Sequence, residues 1–295
     1  MDDRNWLAAR FEQERPRLRS VAYRMLGSMP EADDALQEAW LRIGRAGAEG
    51  VDDLRAWLTT VVARVCLNVL RARRSRAEEP LEVHLADPVI SRESDADPEQ
   101  QALLSDAVGL ALYVVLDTLT PAERLAFVLH DMFDLPFEEI APMVERSPQA
   151  ARQLASRARR RVQGQAVPRP DPDVRRQREV VDAFFAAARR GDFQGLLAVL
   201  DPDVVLRSDG GAARPKLTTV VRGAAAVATQ ARLGAHPNAD IWPVLVNGLA
   251  GAVITGPRGP IAVMGFTVSE GRIVEIDALS DPERLRRLDL TAIGY

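Results

Sequence analysis

The chain has 295 residues, and 47% of them are hydrophobic. This length favours two or three domains, each with its own core. The formal net charge of −4 argues against a uniformly basic nucleic-acid-binding protein, but the charge is uneven, because residues 64–76 and 146–161 form basic islands. Lys216 is the only lysine among 38 basic residues, and arginine is well suited to binding phosphate.

Cysteine content and hydropathy indicate the cellular compartment of the protein. Cys66 is the only cysteine, so no disulfide can form within the chain, and we expect it to be a small core residue in a reducing compartment. The sequence has no signal peptide and no apolar run of about 18 residues. We therefore expect a cytoplasmic protein without a membrane part.

Apolar residues at helical spacing, Trp6 and Phe11 among them, predict three helices in the first block. The predicted helices cover the chain up to about Gly27, about 29–43 and about 52–76. Ser28 and Glu31 have the spacing of a capping box, which would start the second helix. The third helix begins apolar and turns basic toward its end.

Two stretches lack helical period. Residues 77–100 are rich in Pro, Asp and Glu and predict a linker. A second helical block follows over about 101–163. The prolines of residues 164–173 then predict a short extended spacer.

Residues 119–162 have the pattern of two amphipathic helices around a tight turn. The first would cover about 137–144, although Pro142 argues mildly against a helix there. The second has a clear start, because Ser147 can cap its first turn and Pro148 needs no amide partner. Its inward residues are apolar: Ala151, Leu154, Ala155, Ala158 and Val162. Its outward residues are polar or basic: Gln149, Arg152, Gln153, Ser156, Arg157 and Arg160.

The outward residues of this second helix suit a DNA groove. Gln can pair with adenine and Arg with guanine, and both side chains reach phosphates. Residues near the start of such a helix are positioned for base edges, and later arginines for the backbone. The pattern predicts a helix-turn-helix that binds DNA; the alternative is an ordinary helical hairpin with solvated arginines.

The pattern changes after residue 173. The predicted order is helix 174–190, helix 193–200, strand 204–209 and a helix over about 223–233. Four more strands are predicted, over 241–246, 250–255, 260–268 and 272–279. Asn247-Gly248 and Glu270-Gly271 are turn signals between them. This order predicts an α+β unit with an antiparallel meander.

With both helical blocks in view, residues 11–162 closely resemble an extracytoplasmic-function (ECF) sigma factor of bacterial RNA polymerase. EADDALQEAWLR, residues 31–42, resembles the region-two helix that grips the β′ clamp of the polymerase. DDLRAWLTTVVARVCLNVLRARR, residues 52–74, resembles the loop and helix that open and read the −10 element. The predicted helix-turn-helix resembles region four, which reads the −35 element.

The resemblance implies three sets of contact residues. Polymerase contacts would come from Asp34, Gln37, Glu38 and Leu41. Contacts to the −10 element would come from Trp57, Arg64, Asn68, Arg71, Arg73 and Arg74. Contacts to the −35 element would come from the outward residues of the second helix of the helix-turn-helix. The alternatives are a solvated acidic face on residues 31–42 and a core position for Trp57. Many family members carry Asn and Asp where this chain has Val65 and Asn68, so detailed −10 contacts do not transfer there.

Residues 174–279 resemble a SnoaL-like cone, a curved sheet wrapped by helices around a pocket, which one sigma-factor subgroup carries behind region four. Three motifs of that subgroup are kept unevenly: HLADP at 84–88 for WLPEP, DGG at 209–211 for the start of DGGG, and DPERL at 281–285 for NPDKL. The resemblance implies regulatory roles for Leu85, Asp87, Pro88, Asp209, Gly210, Gly211, Asp281, Pro282 and Leu285.

Together these patterns predict a multidomain protein. Two all-α sigma domains, a region-two helical bundle and a region-four helix-turn-helix, precede an α+β SnoaL-like cone with a curved, mostly antiparallel sheet. The expected boundaries are 1–76 for region two, 77–100 for the linker, 101–163 for region four, 164–173 for the spacer and 174–295 for the cone with its tail.

The leading hypothesis is an alternative sigma factor that binds core RNA polymerase at the β′ clamp and β flap, recognises promoter DNA and is modulated by its cone. The cone would offer a site for an unknown small-molecule ligand. The alternative is a polymerase-independent helix-turn-helix regulator with a ligand-sensing C-terminal domain.

A third hypothesis is an enzymatic cone. Asp209, His236, Trp242 and Asp277 are its candidate residues, but they do not form a defined acid and base pair, and no metal or cofactor motif occurs. We therefore expect no catalysis, no cofactor and no metal.

Overall fold

The structure, a computed structural model, describes residues 2–76, 85–92, 109–164, 169–234 and 238–294. The chain divides into two compact units: Met1–Glu79 with Val115–Ala166, and Pro80–Val114 with Val167–Tyr295. Most of the predicted linker, the start of the second helical block, part of the spacer, and residues His84 and His236 lie outside the described residues. Within the described ranges, no helix is long and apolar enough to cross a bilayer.

Three helices open the first unit, as predicted: α1 (Asp2–Leu26), α2 (Met29–Ala46) and α3 (Leu54–Arg76). Gly27 follows α1 in the left-handed region, with a φ of 72° that glycine adopts without a Cβ clash. Arg19 and Asp33 join α1 to α2 by two hydrogen bonds of 2.7 Å each. Cys66 is a core residue, as predicted, and burial raises the pKa of its thiol to about 12.

The predicted capping box at the start of α2 is wrong. Ser28 is the N-cap residue, but its side chain accepts no hydrogen bond from the first turn. Glu31 forms an ion pair with Arg73 of α3 instead of returning to the Ser28 amide. The start of α2 therefore relies on Pro30, whose fixed φ suits the first turn.

The second helical block consists of α4 (Gly109–Asp117), α5 (Pro121–Phe127), a π-helical turn (Val128–Met132), α6 (Phe137–Ile140) and α7 (Pro148–Gly164). The predicted helix over 137–144 is too long, because the α-helix stops at Ile140. Pro142 has no N–H to donate and disfavours helical geometry in the residue before it. Ser147 caps α7 as predicted, since its Oγ accepts a hydrogen bond from the Ala150 N–H at 3.2 Å.

Arginines join the two helical blocks of the first unit. Arg124 of α5 is buried and donates to the Arg24 carbonyl of α1 at 3.3 and 3.4 Å. It also binds the Asp117 carboxylate. The ring centroid of Phe133 lies 5.7 Å from the Arg17 guanidinium and 5.1 Å from that of Arg24, within the range of a cation–π contact. The two blocks therefore pack as one body.

The second unit is an α+β fold. Its helices are α8 (Val174–Arg190), α9 (Phe193–Val199), α10 (Ala224–Gly234) and α11 (Pro282–Leu285). Its strands are β1 (Ile90–Ser91), β2 (Leu200–Asp209), β3 (Thr219–Arg222), β4 (Asp240–Val246), β5 (Leu249–Gly256), β6 (Gly259–Ser269) and β7 (Arg272–Leu279). The strand order is β1-β4-β5-β6-β7-β2-β3, and among these pairs only β2 and β7 are parallel. The predicted α+β class with a mostly antiparallel sheet is confirmed.

Two of these strands are absent from the sequence prediction. Strand β1 has two residues and lies inside the predicted linker, and β3 has four. Strands this short contain too little apolar alternation to be recognised. The predicted hairpin turn is present, because Asn247 and Gly248 both have left-handed φ values, 51° and 80°.

One face of the sheet packs against α8, α9 and α10. Phe184, Phe185 and Phe266 meet edge to face, with ring centroids 5.4 to 5.5 Å apart. Arg178 ties the start of α8 to the sheet by donating to the Gly251 carbonyl at 2.9 Å. We call this α+β unit, with its helices on one sheet face, the cone.

Candidate nucleic-acid interface

Helix α2 separates a buried face from a polar face. Its apolar residues are buried as predicted: Ala32, Ala35, Leu36, Ala39 and Ile43. The predicted polymerase contacts Asp34, Gln37, Glu38 and Leu41 are all exposed. Glu38 forms an ion pair with Arg42, one turn later, at 2.8 Å. Of the predicted contacts on this face, Asp34 and the 50% exposed Leu41 are therefore the most available to a partner protein.

An exposed tryptophan extends this polar face. Trp6 of α1 is 50% exposed, although the sequence pattern marks it as one of the apolar residues of its helix. Trp6 and Leu41 line the same shallow cavity with Trp40. Large apolar side chains that remain this exposed are typical of a protein interface.

Helix α3 carries the predicted −10 contacts. Trp57 is half-buried, and Arg64, Asn68, Arg71 and Arg74 are exposed. Trp57, Arg64, Asn68 and Arg71 recur at i, i+7, i+11 and i+14, so they follow one stripe of the helix. The stripe is open to a large ligand, apart from a 3.8 Å ion pair between Arg71 and Glu145.

Arg73 differs from its neighbours on α3. Its side chain is half-buried and donates to the Leu26 carbonyl at 3.0 Å. It also pairs with Glu31 of α2. Arg73 thus ties the ends of three helices together, and its predicted DNA contact competes with these bonds.

Helix α7 presents its outward residues as the amphipathic pattern predicts. Gln149, Arg152, Gln153 and Arg160 are exposed, and Ser156 is half-buried. The Arg152 guanidinium lies 5.3 Å from the ring centroid of Phe137. Within the described part of the chain, neither Arg152 nor Arg160 forms an ion pair.

Three other arginines of α7 face acidic partners. Arg157 and Arg161 lie 3.5 and 3.0 Å from the Glu123 carboxylate, and Arg159 lies 2.8 Å from that of Asp131. Burial raises the pKa of Glu123, but hydrogen bonds from Thr120 and the charges of Arg161 and Arg157 lower it more, so the pKa lies below its ordinary value. Glu123 therefore remains charged and holds Arg157, a predicted −35 contact.

The predicted regulatory residues of the cone come together around Arg284 of α11. Arg284 donates to Asp87 at 2.7 Å, to the Leu85 carbonyl at 2.5 Å and to Asp209 at 2.8 Å. Asp209 also accepts the Leu85 N–H at 3.0 Å. We call Arg284 with these three partners the clasp. It joins a segment of the predicted linker to β2 and α11 of the cone.

Two glycines of the DGG motif allow close approach of the chain next to the clasp. A Cβ on Gly210 would lie 2.2 Å from the Arg214 carbonyl oxygen, and a Cβ on Gly211 would lie 2.1 Å from Asp281 Oδ2. Asp281 caps α11 by accepting the Glu283 N–H at 2.8 Å. Pro282 begins this helix, and Pro88 and Leu285 are buried nearby in the same unit.

The linker segment continues from the clasp into the sheet. Ile90 and Ser91 pair with β4, opposite Val246 and Leu245. Asn247 exchanges two hydrogen bonds with Val89: its Oδ1 accepts the Val89 N–H at 2.7 Å, and its own N–H donates to the Val89 carbonyl at 2.8 Å. Residues 85–92 are therefore held on the cone at both ends.

A buried ionic cluster occupies the sheet face away from the helices. Arg207 of β2 donates to Glu275 at 2.6 Å and to Asp277 at 3.2 Å, both on β7. Burial raises the pKa of Glu275 to about 7 and that of Asp277 to about 6, against the lowering effect of Arg207.

Comparisons with known proteins support the same two sigma regions. The model of sigma-70 region 2 matches residues 10–76, and that of sigma-70 region 4 matches residues 109–162. The ECF RNA polymerase sigma factor SigJ of Mycobacterium tuberculosis is 36% identical over 287 residues, which cover 93% of this chain and 91% of SigJ. The chain belongs to the ECF sigma factors. As a sigma factor it acts in promoter recognition and transcription initiation by RNA polymerase.

Two further comparisons extend over the cone. The probable ECF sigma factor SigI of Mycobacterium tuberculosis is 33% identical, with 97% of each chain covered. The crystal structure of SigJ from the same species superimposes with a TM-score of 0.76 and 34% identity, covering 96% of this chain and 99% of that one. The ECF sigma-factor assignment decides against the polymerase-independent regulator.

Two candidates for an enzymatic cone, Asp209 and Asp277, point away from the cone cavity. Leu206 and Ser208 of β2 line a cavity under the helices, so alternation along the strand turns Arg207 and Asp209 to the other face. Ile276 and Ala278 of β7 line the same cavity, so Asp277 is also turned away.

Of the two remaining enzymatic candidates, Trp242 lies among the described residues. The Trp242 indole N–H donates to Thr255 Oγ1 at 2.9 Å, and His236 lies outside the described residues. Among the described residues, no group of three His, Cys, Asp or Glu side chains could hold a metal ion.

Several prominent residues of this sigma factor are absent from the sequence predictions. Arg284 lies within the DPERL motif without a predicted role, and Asn247 is predicted only as a turn residue. Arg207 and Glu275 have no predicted role. Arg284 and Asp87 are 197 positions apart in sequence, so no local pattern relates them.

Proposed function

We propose that this sigma factor reads a bipartite promoter with α3 and α7 while α2 holds core RNA polymerase, and that the cone modulates this activity by holding the linker. The clasp carries the modulatory part of the proposal. It is a buried, charge-assisted contact between the segment that joins the two DNA-reading blocks and the domain that follows them.

The polymerase contact is assigned to the exposed residues of α2. Asp34, Gln37 and Glu38 form an acidic, hydrogen-bonding face, and Leu41 with Trp6 adds apolar area beside it. Such a face complements a basic helical partner with an apolar centre. We infer that this partner is the β′ clamp, with region four on the β flap.

The −10 element is assigned to the stripe on α3. Trp57 can support or stack against an unstacked base, and Arg64 and Arg71, farther along the helix, can bind phosphates. Asn68 and Arg74 complete the exposed set, whereas Arg73 would have to leave Leu26 and Glu31 to join it.

The −35 element is assigned to α7. Gln149, Arg152 and Gln153 lie in its first turns, where helix-turn-helix proteins contact base edges. Ser156, Arg157 and Arg160 follow and suit phosphates. Arg160 is the least engaged of the arginines in this second group, because Glu123 holds Arg157.

The clasp restrains the tether between the two DNA-reading blocks. Residues 85–92 lie between α3 and α4, so the chain that connects the −10 and −35 readers is attached to the cone while they are docked. Engagement of two separated promoter elements favours an undocked linker. The cone therefore acts as a restraint on promoter binding, coupled to it through one shared segment.

Transcription from core RNA polymerase with the Arg284→Ala variant tests this restraint. Loss of Arg284 leaves Asp87 and Asp209 without their shared donor, so we expect more promoter-dependent transcript than from the wild type. Arg286→Ala is the matched control, because Arg286 is exposed and, among the described residues, its side chain bonds only to the Pro282 carbonyl. Equal or lower output from Arg284→Ala at equal holoenzyme concentration would contradict the restraint.

A chain that ends near Gln163 provides a second arm of the experiment. It lacks the whole cone and should still support transcription if residues 1–163 contain the sigma function. No transcript from this chain, together with no effect of Arg284→Ala, would assign the cone an obligatory structural role instead.

We infer that the cone binds a small molecule without transforming it. Asp209 and Asp277 are neutralised by Arg284 and Arg207 on the sheet face away from the cavity, which supports a non-catalytic role. Incubation of the full chain with candidate ligands, followed by mass spectrometry of the ligand, tests this inference; any conversion would contradict it.

A further inference from the structure

The cone encloses a cavity of about 180 Å³ between its helices and the sheet. Phe184 and Phe185 of α8 form part of its wall, and Leu206, Ile254 and Ile276 contribute from the strands. The edge-to-face contacts of Phe184 and Phe185 with Phe266 make this wall rigid. A cavity with such walls favours an apolar occupant.

Among the described residues that line the cavity, the one charged group is Arg189. It is exposed and donates to the Ala239 carbonyl at 3.1 Å. The described lining contains no carboxylate and no imidazole. A charged ligand would lose its hydration there without gaining a buried counter-ion, so a neutral ligand is favoured.

Two hydroxyl groups provide hydrogen-bonding groups in the otherwise apolar wall of the cavity. Ser208 of β2 and Thr219 of β3 are directly paired across the antiparallel strands, and both line the cavity. Neither hydroxyl forms a side-chain hydrogen bond with any of the described residues. Paired neighbours on one sheet face lie about 5 Å apart at Cβ, so one ligand oxygen can reach both hydroxyls.

The volume limits the size of the occupant. An apolar cavity of about 150 Å³ accommodates benzene. The cone cavity is slightly larger, so it has room for one ring with a short substituent.

We propose that the cone cavity binds a neutral compound with one ring and one hydroxyl or carbonyl group, held by apolar contact and by Ser208 and Thr219. The inference deepens the proposed function by naming the ligand class of the cone. Binding is measured without polymerase, so its failure is distinguishable from failure of the clasp to regulate transcription.

Calorimetric titration of the full chain with 4-ethylphenol tests the ligand class. We expect one saturable site. Ethylbenzene, which lacks the hydroxyl, should bind roughly 2- to 10-fold more weakly, the usual range for one hydrogen bond. The carboxylate 4-ethylbenzoate should bind more weakly than either. Absence of saturable binding by 4-ethylphenol, or tighter binding of 4-ethylbenzoate, would overturn the proposal.

Three variants and one control variant locate the site. Ala231→Phe fills the cavity from α10 and should abolish binding, whereas Ala226→Phe, at an exposed position of the same helix, should leave it intact. Ser208→Ala and Thr219→Val remove a hydroxyl at nearly constant shape and should each reduce the preference for 4-ethylphenol over ethylbenzene.

The variants also decide the outcome if the bulky substitution disturbs folding. Because Ser208→Ala and Thr219→Val change little volume, they report on the site even when Ala231→Phe does not fold. An unchanged preference for 4-ethylphenol in both would refute the role of the hydroxyl pair. Unchanged affinity in a folded Ala231→Phe would refute the location.

Discussion

The exposed arginines of α7 and the largely buried arginines of the cone are the same residue type in opposite environments. Arg152 and Arg160 of α7 are exposed and form no ion pair with any described residue, whereas the side chains of Arg207 and Arg284 are 13% and 17% exposed and each binds two carboxylates. An arginine free of carboxylates can exchange water for phosphate at small cost. An arginine already surrounded by carboxylates stabilises its own fold instead.

Three other arginines are intermediate between these two environments. Arg157 and Arg161 both bind Glu123, and Arg73 binds Glu31 and the Leu26 carbonyl. Each must give up a protein partner to bind DNA. Their contribution to promoter affinity is therefore expected to be smaller than that of Arg152 or Arg160.

The largest expected effect is that of Arg207→Met on the stability of the cone. The variant leaves Glu275 and Asp277 buried without a cation, which costs about 3–5 kcal/mol in comparable ion pairs. Denaturant unfolding at pH 8, monitored by hydrogen exchange in the cone strands, measures the loss. Arg258→Met, in the exposed turn between β5 and β6, should change the free energy of unfolding by less than about 0.5 kcal/mol. Similar values for both variants would remove the distinction between the two arginine environments.

The pH dependence of cone stability should be next in size. Burial raises the pKa of Glu275 from 4.5 to about 7 and that of Asp277 from 3.8 to about 6, so the folded state holds protons that the unfolded state releases. The stabilisation from protonation is fully present below the unfolded pKa values and is lost as the pH rises through about 6 to 7. For Glu275 alone it amounts to about 3 kcal/mol.

Two variants that replace a glutamate by glutamine separate the contribution of Glu275 to this pH dependence from that of other titrating groups. Glu275→Gln should lose less stability than the wild type between pH 5 and pH 8, because the group that deprotonates is gone. Glu270→Gln, in the exposed turn before β7, should behave as the wild type does. Unfolding curves at the two pH values give the comparison, and parallel behaviour of Glu275→Gln and wild type would contradict the raised pKa.

Arg152→Ala should weaken promoter binding by roughly 1 to 3 kcal/mol and relax the preference at one −35 position, if Arg152 makes a bidentate base contact. Holoenzyme binding to a set of single-base promoter variants measures both quantities. Arg157→Ala is the matched control, since Glu123 already holds that side chain and its loss should matter less. Uniform weakening across all sequences would instead assign Arg152 to a phosphate.

The smallest expected effect is that of Arg160→Ala, which should reduce the salt dependence of promoter binding by about one phosphate contact. A salt titration of holoenzyme binding measures the slope. Arg159→Ala should leave the slope unchanged, because Arg159 is engaged by Asp131. Equal slopes for the two variants would place Arg160 outside the DNA contact.

The sequence was sufficient where local periodicity is strong. The bounds of α8 and β7 are those predicted, because their apolar residues alternate with the period of a helix or a strand over 17 and 8 residues. The outward residues of α7 were likewise identified, because an amphipathic helix exposes one stripe.

The sequence was insufficient where partners are distant. In a sequence, an arginine that binds phosphate cannot be told from one that binds a carboxylate. Only the fold brings Arg284 to Asp87 and Arg207 to Glu275. The length of α6 depended on how the chain accommodates Pro142, and β1 lies beside a contact in which the Asn247 Oδ1 and backbone N–H both bind Val89. Such features depend on tertiary structure and produce no periodic pattern in the sequence.

Docking of residues 85–92 on the cone has a consequence for promoter geometry. A strand rises about 3.3 Å per residue, so these residues span roughly 26 Å when extended. The same length corresponds to roughly eight base pairs of DNA, at about 3.4 Å for each step. We therefore expect that releasing the proposed restraint would widen the range of promoter spacer lengths that this sigma factor can bridge.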